Sequence, residues 1–252
     1  MKEKIVKIAC VFMMVATLSA CSFSQDAYDN DGIYDPLEPY NRVMLDINDA
    51  LDQAVLEPAA QLYRSFVPRP ARQGIRNFLR NLEAPAVFAN EVLQGDVEGA
   101  AAAFTRFGAN TVLGFGGIVD IASDMGVKYE HEDFGQTLAA WGVGDGMYIV
   151  LPLFGSSTLR DTAGFAVDVY TDPVNYAIRQ GEHEELIYYR SGVDIIDTRE
   201  AYLDLIKDLR MNSLDYYASL RSVYYQRRNA MIRDMDPDHG SAAIPDYDET
   251  DD

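Results

Sequence analysis

The stretch TREAYLDLIKDLRMNSLDYYASLRSVYYQRRNAMIR, Thr198 to Arg233, decides the fold class. Tyr202, Leu205 and Leu209, then Leu214, Tyr217, Leu220 and Tyr224, recur at the helical period and mark one face, while Asp, Lys and Arg fall on the other. The spacing predicts one long helical run over 198–233. Toward the N-terminus the same period returns in Phe104, Phe107 and Val112, in Phe78, Leu79 and Leu82 leading on to Val92, and in Leu51, Val55, Leu62 and Phe66. Prolines 58, 68, 70 and 85 punctuate these segments: a helix before Pro68 should end there, and Pro85 should start or kink one. No strand pattern of comparable length competes, so the expected class is mostly α.

The middle of the chain departs from this pattern. Ten of the 18 glycines lie between Gly108 and Gly155, together with two uncharged stretches, Phe107 to Val119 and Gly146 to Leu159. Neither reaches the roughly 20 residues needed to cross a bilayer. Each suits a helix lying in the membrane plane, or a buried glycine-rich hairpin. From periodicity alone, a soluble core is the ordinary reading for apolar runs of this length.

The N-terminal residues read as a processing signal. Lys2, Lys4 and Lys7 precede an uncharged, mostly apolar run from Ile8 to Ala20, which reads as an export signal to be excluded from the fold. Leu18-Ser19-Ala20-Cys21 resembles the lipobox of bacterial lipoproteins, with cleavage expected after Ala20 and lipid on Cys21. The alternative is a secretory signal that happens to end near a cysteine. Ser22, in place of an inner-membrane-retaining aspartate, favours the outer membrane. Residues 21–33 read as a lipidated cysteine and flexible linker, 34–233 as the folded body, and 234–252 as an acidic, disordered tail.

Charge and cysteine usage exclude several function classes. The formal net charge of −19 becomes −21 once three lysines and one glutamate leave with the signal, so nucleic acid is not a partner. Any surface touching phosphate-rich lipid should be poor in carboxylates. Cys10 leaves with the signal, which removes disulfides and CxxC metal sites from consideration.

A set of motifs runs in order along the body: Asp35-Pro36-Leu37-Glu38-Pro39-Tyr40-Asn41-Arg42, Val67-Pro68-Arg69-Pro70-Ala71-Arg72, Asn77-Phe78-Leu79-Arg80-Asn81-Leu82-Glu83-Ala84-Pro85, and Leu93-Gln94-Gly95. Arg106-Phe107, Asn110-Thr111, Gly116-Gly117 and Asp120 follow, then Phe134-Gly135-Gln136-Thr137-Leu138, Trp141-Gly142-Val143-Gly144, Leu151-Pro152, Gly155-Ser156-Ser157, Arg160-Asp161 and Gln226-Arg227-Arg228. The ordered set resembles the MlaA (VacJ) family of outer-membrane lipoproteins. Gly155-Ser156-Ser157 departs from it, since many members carry proline after the glycine. The acidic tail is not a family hallmark.

The resemblance implies a ring-like helical body with in-plane membrane helices, held by lipid on the periplasmic side of the outer membrane. It would pass phospholipids from the outer leaflet through an amphipathic channel to a periplasmic lipid-carrier protein, in association with a trimeric outer-membrane porin and without a cofactor. It shifts the reading of the two uncharged stretches from soluble core to membrane-facing. Gly142, Gly144 and Gly146 then become candidate hinges for a channel loop formed by Met147, Tyr148, Leu151, Pro152 and Phe154, against the alternative of ordinary turn glycines. Arg106 and Arg160 are candidate contacts for lipid phosphate. Pairing with Asp120 or Asp161 is the competing role. Tyr216, Tyr217, Tyr224 and Tyr225 would serve as an interfacial belt or as helix packing.

A lipid hydrolase is the rival class, and the residues argue against it. Phe154-Gly155-Ser156-Ser157 lacks the second glycine of a nucleophile elbow. His131, His183 and His239 are the only histidines, and no His/Cys spacing suggests zinc. Carboxylate pairs such as Glu130 with Glu132, or Glu184 with Glu185, read as solvated faces. A porin-associated scaffold without transport activity remains open at this level.

Overall fold

The computed structural model describes residues 33–181 and 183–233. The leader 1–20, Cys21 with its linker up to residue 32, and the tail from residue 234 lie outside the described residues. The chain runs α1 (Glu38–Leu51), a π-helical segment (Asp52–Leu56), α2 (Glu57–Phe66), α3 (Arg69–Gln94), α4 (Val97–Val112), α5 (Ile121–Asp124), α6 (Phe134–Ala140), β1 (Tyr148–Leu151), β2 (Gly155–Thr158), α7 (Leu159–Thr171), α8 (Pro173–Arg179), α9 (Glu185–Ala201), α10 (Leu203–Asn212) and α11 (Tyr216–Ile232). It is mostly helical. Among the described residues no helix is long and apolar enough to cross a membrane.

Local chemistry sets the boundaries. Pro70 lies in the first turn of α3, where a missing N–H leaves no bond unmade, whereas Pro58 sits just after the π-helical segment inside a continuous helical run. α3 ends at Gly95, which takes φ +83°. Asp96 then caps α4 by accepting from the N–H groups of Glu98 and Gly99 at 2.8 and 3.0 Å. Pro85 does not start a helix; it sits inside the 26 residues of α3.

The long run over 198–233 is helical, but it is three helices. α9 gives way to α10 at Tyr202, and Ser213 turns extended at φ −82°, ψ 141°. Asp215 then opens α11 by accepting from Ala218 N at 3.1 Å. Ser213, whose hydroxyl donates to Leu209 O, and Asp215 offer the backbone side-chain partners in place of the helical ladder, and a break is the outcome. Leu214, counted on the apolar face, is fully exposed there.

Of the two uncharged stretches, Gly146 to Leu159 takes the hairpin alternative, with β1 and β2 antiparallel and Tyr148 opposite Thr158. Phe107 to Val119 continues α4 to Val112 and then turns through Gly114, Gly116 and Gly117. Packing closes the elements into a circuit: α3 lies on α4 and α6, α6 on α7, α7 on β2, β1 on α1, and α2 on α9, which returns to α3. This is the ring-like order that the resemblance implies.

The side chains are partitioned in the opposite sense to a water-soluble bundle. The apolar stripe of α1, the π-helical segment and α2 (Val43, Ile47, Leu51, Val55, Leu62, Phe66) faces outward, with Phe66 80% exposed. Phe104, Val112 and Phe115 do the same on α4 and its following turn. Buried in their place are Arg106, Arg160, Asp197, Arg199, Glu200, Arg221 and Arg228. Each of these charges is paired. Arg199 donates to both oxygens of Asp52 (2.6 and 2.8 Å), and Arg210 reaches Asp49, Asp52 and Glu57. Arg64, Arg72 and Arg76 converge on Glu200, with Arg76 also 3.0 Å from Asp197. Glu132, read from the sequence as part of a solvated face, is buried and accepts from Gln94 Nε2 at 2.6 Å.

Candidate functional site

The motifs dispersed in sequence meet in space. Asp35, at the entry of the body, accepts from Asn41 Nδ2 (2.9 Å), from Arg221 (2.7 Å) and from the Tyr217 hydroxyl on α11. Arg228 donates to Asp133 at 2.6 and 2.7 Å and to Asp161 at 2.9 Å, which joins α11 to the start of α6 and to α7. Gly135 and Gly164 allow that junction: a Cβ on Gly135 would lie 2.4 Å from Arg228 Nη2, and one on Gly164 would lie 2.4 Å from the backbone of Gly135. Tyr217, Tyr224 and Tyr225 pack about Tyr148 with ring centroids about 6 Å apart, so these C-terminal tyrosines take the packing role. Burial and neighbouring carboxylate charge push the Tyr217 and Tyr224 hydroxyls well above the usual phenol range.

The candidate channel loop is the β1–β2 hairpin, and its base belongs to the core. Tyr148 is 1% exposed and Val150 is fully buried, packed with Leu45 and Tyr217. Burial pushes the Tyr148 hydroxyl up to about 12. The outer edge of β1 is bonded to α1 by two side-chain amides. Asn41 donates to Tyr148 O at 3.1 Å and accepts from Val150 N at 2.9 Å. Asn48 donates to Leu151 O at 2.8 Å and accepts from Leu153 N at 2.8 Å. Seven residues is two helical turns, so both amides project from one face of α1 and stand in for a third strand. Beyond them Pro152, Leu153 and Phe154 are exposed, Leu153 holds φ +69°, and the Phe154 ring sits 5.0 Å from that of Phe165 on α7.

The three glycines differ in what the backbone asks of them. Gly142 (φ +87°) and Gly146 (φ +71°) occupy the left-handed region, whereas Gly144 does not. A Cβ on Gly146 would also come to 3.0 Å from Leu159 Cβ. Leu159 N donates to Met147 O at 3.0 Å and closes the hairpin below β1.

Both candidate phosphate contacts are buried and face carboxylates. Arg106 donates to Asp120 (2.7 Å), Ser123 Oγ (3.1 Å) and the carbonyl of Val127. Burial alone would raise the Asp120 carboxyl, but the bonds from Ser123, Arg106 and Asn110 together hold it at about 2. Arg160 pairs with Asp145 and Asp161, while its Nη2 has no acceptor among the described residues. The sequence did not reveal the strapping role of Asn41 and Asn48. The usable signal was two asparagines at a two-turn spacing in a helix beside a glycine-bounded strand.

Such a body, with charges paired inside, large apolar groups outside and no spanning helix among the described residues, defines a helical membrane-associated protein. The chain belongs to the MlaA lipoprotein family, whose model matches residues 33–231. It is 37% identical over 227 residues to the Intermembrane phospholipid transport system lipoprotein MlaA of Escherichia coli (strain K12), covering 88% of this chain and 87% of that protein. With the protein of the same name from Haemophilus influenzae it shares 33% identity over 250 residues, 98% of this chain and 97% of the other. A solved structure concerning maintenance of bacterial outer membrane lipid asymmetry matches with a TM-score of 0.69 and 40% identity, over 79% of this chain and 98% of that one.

Proposed function

We propose that this protein takes phospholipids from the outer leaflet of the outer membrane and passes them inward to a periplasmic carrier, seated in the inner leaflet beside a porin and anchored by lipid on Cys21. The observation that carries this reading is the inverted partition of side chains. Burying arginines while exposing phenylalanines is unfavourable in water and favourable where the outer surface meets hydrocarbon. The demand on such a device is solvation. Exposing two acyl chains of about 16 carbons would cost on the order of 25 kcal/mol at ~0.8 kcal/mol per methylene, and a headgroup crossing hydrocarbon would cost comparably. A passage with polar walls inside an apolar body lowers both. The family membership and the names of the relatives support the same role.

The hairpin tip, Pro152 to Phe154, is the moving part in this reading: Asn41 holds the base below it, and the tip is tied to α1 by one bond, from Leu153 N to Asn48 Oδ1. Arg160 contributes the unused Nη2 as a transient phosphate donor. The test is surface-exposed phospholipid in a strain lacking the gene, complemented with wild type or with Phe165→Ala, which removes the seat of the tip. Wild type is expected to restore asymmetry without changing lysophospholipid or free fatty acid. A rise in those products would instead indicate hydrolysis, and no phenotype on deletion would indicate a scaffold.

A further inference from the structure

Between α3 and α4, under the loop that follows α5, lies an open recess. One wall is apolar, formed by Ala84, Val87 and Ala103, and the other carries Arg80, Arg106 and Lys128 with Glu91, Asp120 and Glu130. Three formal positive charges face three negative ones, so a multiply charged anion would not balance there. Arg106 is committed to Asp120. Arg80 differs: its guanidinium lies 4.6 Å from the centroid of the Tyr129 ring, and no carboxylate lies within ion-pairing distance of it among the described residues. A guanidinium stacked on a ring keeps its in-plane donors available, and those donors match the oxygens of a phosphate. Asn81, 6% exposed, adds a second unmet demand. Its Nδ2 is fixed by Thr111 Oγ1 (3.0 Å) and Gly116 O (3.3 Å), which leaves Oδ1 a buried acceptor without a donor.

We infer that this recess is a headgroup subsite for a glycerophospholipid, in which Arg80 receives the singly charged phosphodiester and the alanine and valine wall meets the glycerol end. Asn81 Oδ1 accepts from the amine or hydroxyl that common headgroups carry beyond the phosphate. The inference rests on the transport reading, because it supplies a stopping point on the lipid's route. It excludes free inorganic phosphate, whose charge at neutral pH exceeds one and which has no apolar part.

The test uses the full lipidated chain purified in a nonionic detergent, titrated calorimetrically with dihexanoyl phosphatidylethanolamine, dihexanoylglycerol and inorganic phosphate. Wild type should bind the phospholipid more tightly than the diglyceride. Arg80→Ala, at an exposed helical position, should weaken phospholipid binding about tenfold or more, as expected for loss of a hydrogen bond between charged groups. Diglyceride binding should not change, nor should Arg179→Ala, a charge deletion outside the recess, alter either ligand. Unchanged phospholipid affinity in Arg80→Ala, an equal loss for the diglyceride, or Arg80-dependent inorganic phosphate binding as tight as the lipid's would each overturn the subsite. Complementation separates the two readings. If wild type restores asymmetry while Arg80→Ala binds normally, the subsite falls and transport stands; if Arg80 governs binding but wild type restores nothing, transport falls and the subsite stands.

Discussion

At the scale of single residues, stability here depends on charges that have exchanged water for one another. Arg221 and Asp35 are both almost fully buried, and removing one partner strands the other in a low-dielectric interior. Arg221→Ala should therefore lower the unfolding free energy by about 3–5 kcal/mol in detergent-based denaturation. Pairing it with Asp35→Ala should cost less than the two single changes added, because the stranded charge is gone. A loss under about 1 kcal/mol for Arg221→Ala would show that the pair is not closed to solvent. Asp120 makes a prediction in pH. Its carboxyl is depressed to about 2 in the fold, so the stability it contributes is complete above the unfolded value near 4 and disappears as pH falls through about 2. Asp120→Asn should flatten the acid limb between about pH 4 and 2 relative to wild type, read as the unfolding midpoint against pH.

At the scale of elements, the hairpin is strand-like because α1 completes it. An isolated two-stranded hairpin is marginal in water, and this one recovers four backbone bonds from two asparagine side chains. The straps divide it into a buried base held by Asn41 and an exposed tip held at Leu153 N by Asn48. Asn48→Ala should raise amide hydrogen exchange at Leu153 and the tip while leaving Val150 protected. Asn41→Ala should expose the base and cost about 1–3 kcal/mol, since it leaves buried backbone groups unpaired. Equal exchange at base and tip in Asn48→Ala would remove the division. Proline at Gly146 would not simply lock a hinge, because φ +71° is closed to proline and the hairpin base would break. Gly144, outside the left-handed region, is the better position for that substitution.

At the scale of the whole molecule, the helical period was legible in the sequence, but the direction in which its apolar face points was not. Leu51, Val55, Leu62 and Phe66 could be read only as one helical face, because periodicity reports that a face is apolar and not what it meets. The ordered motifs supplied the missing sense, and Asp35, Arg228 and Asp161 proved to be the residues that close the interior. The π-helical segment, the break at Ser213 and the amide straps were not legible, since each depends on partners more than 100 residues away or on a local competition between side chain and backbone. If the apolar exterior is the membrane seat, Cys21 is only one of two holds. A Cys21→Ala variant carrying a cleavable secretory signal should still fractionate with outer membranes. Adding Phe104→Glu, Val112→Glu and Phe115→Glu should release it to the soluble fraction, because each buried side chain contributes about 1.5–3 kcal/mol and a carboxylate in its place reverses the sign. The same three changes with Cys21 intact should leave the protein tethered but extractable by carbonate. A Cys21→Ala chain that is soluble without them would leave the lipid as the sole anchor and the exposed phenylalanines in want of a protein partner.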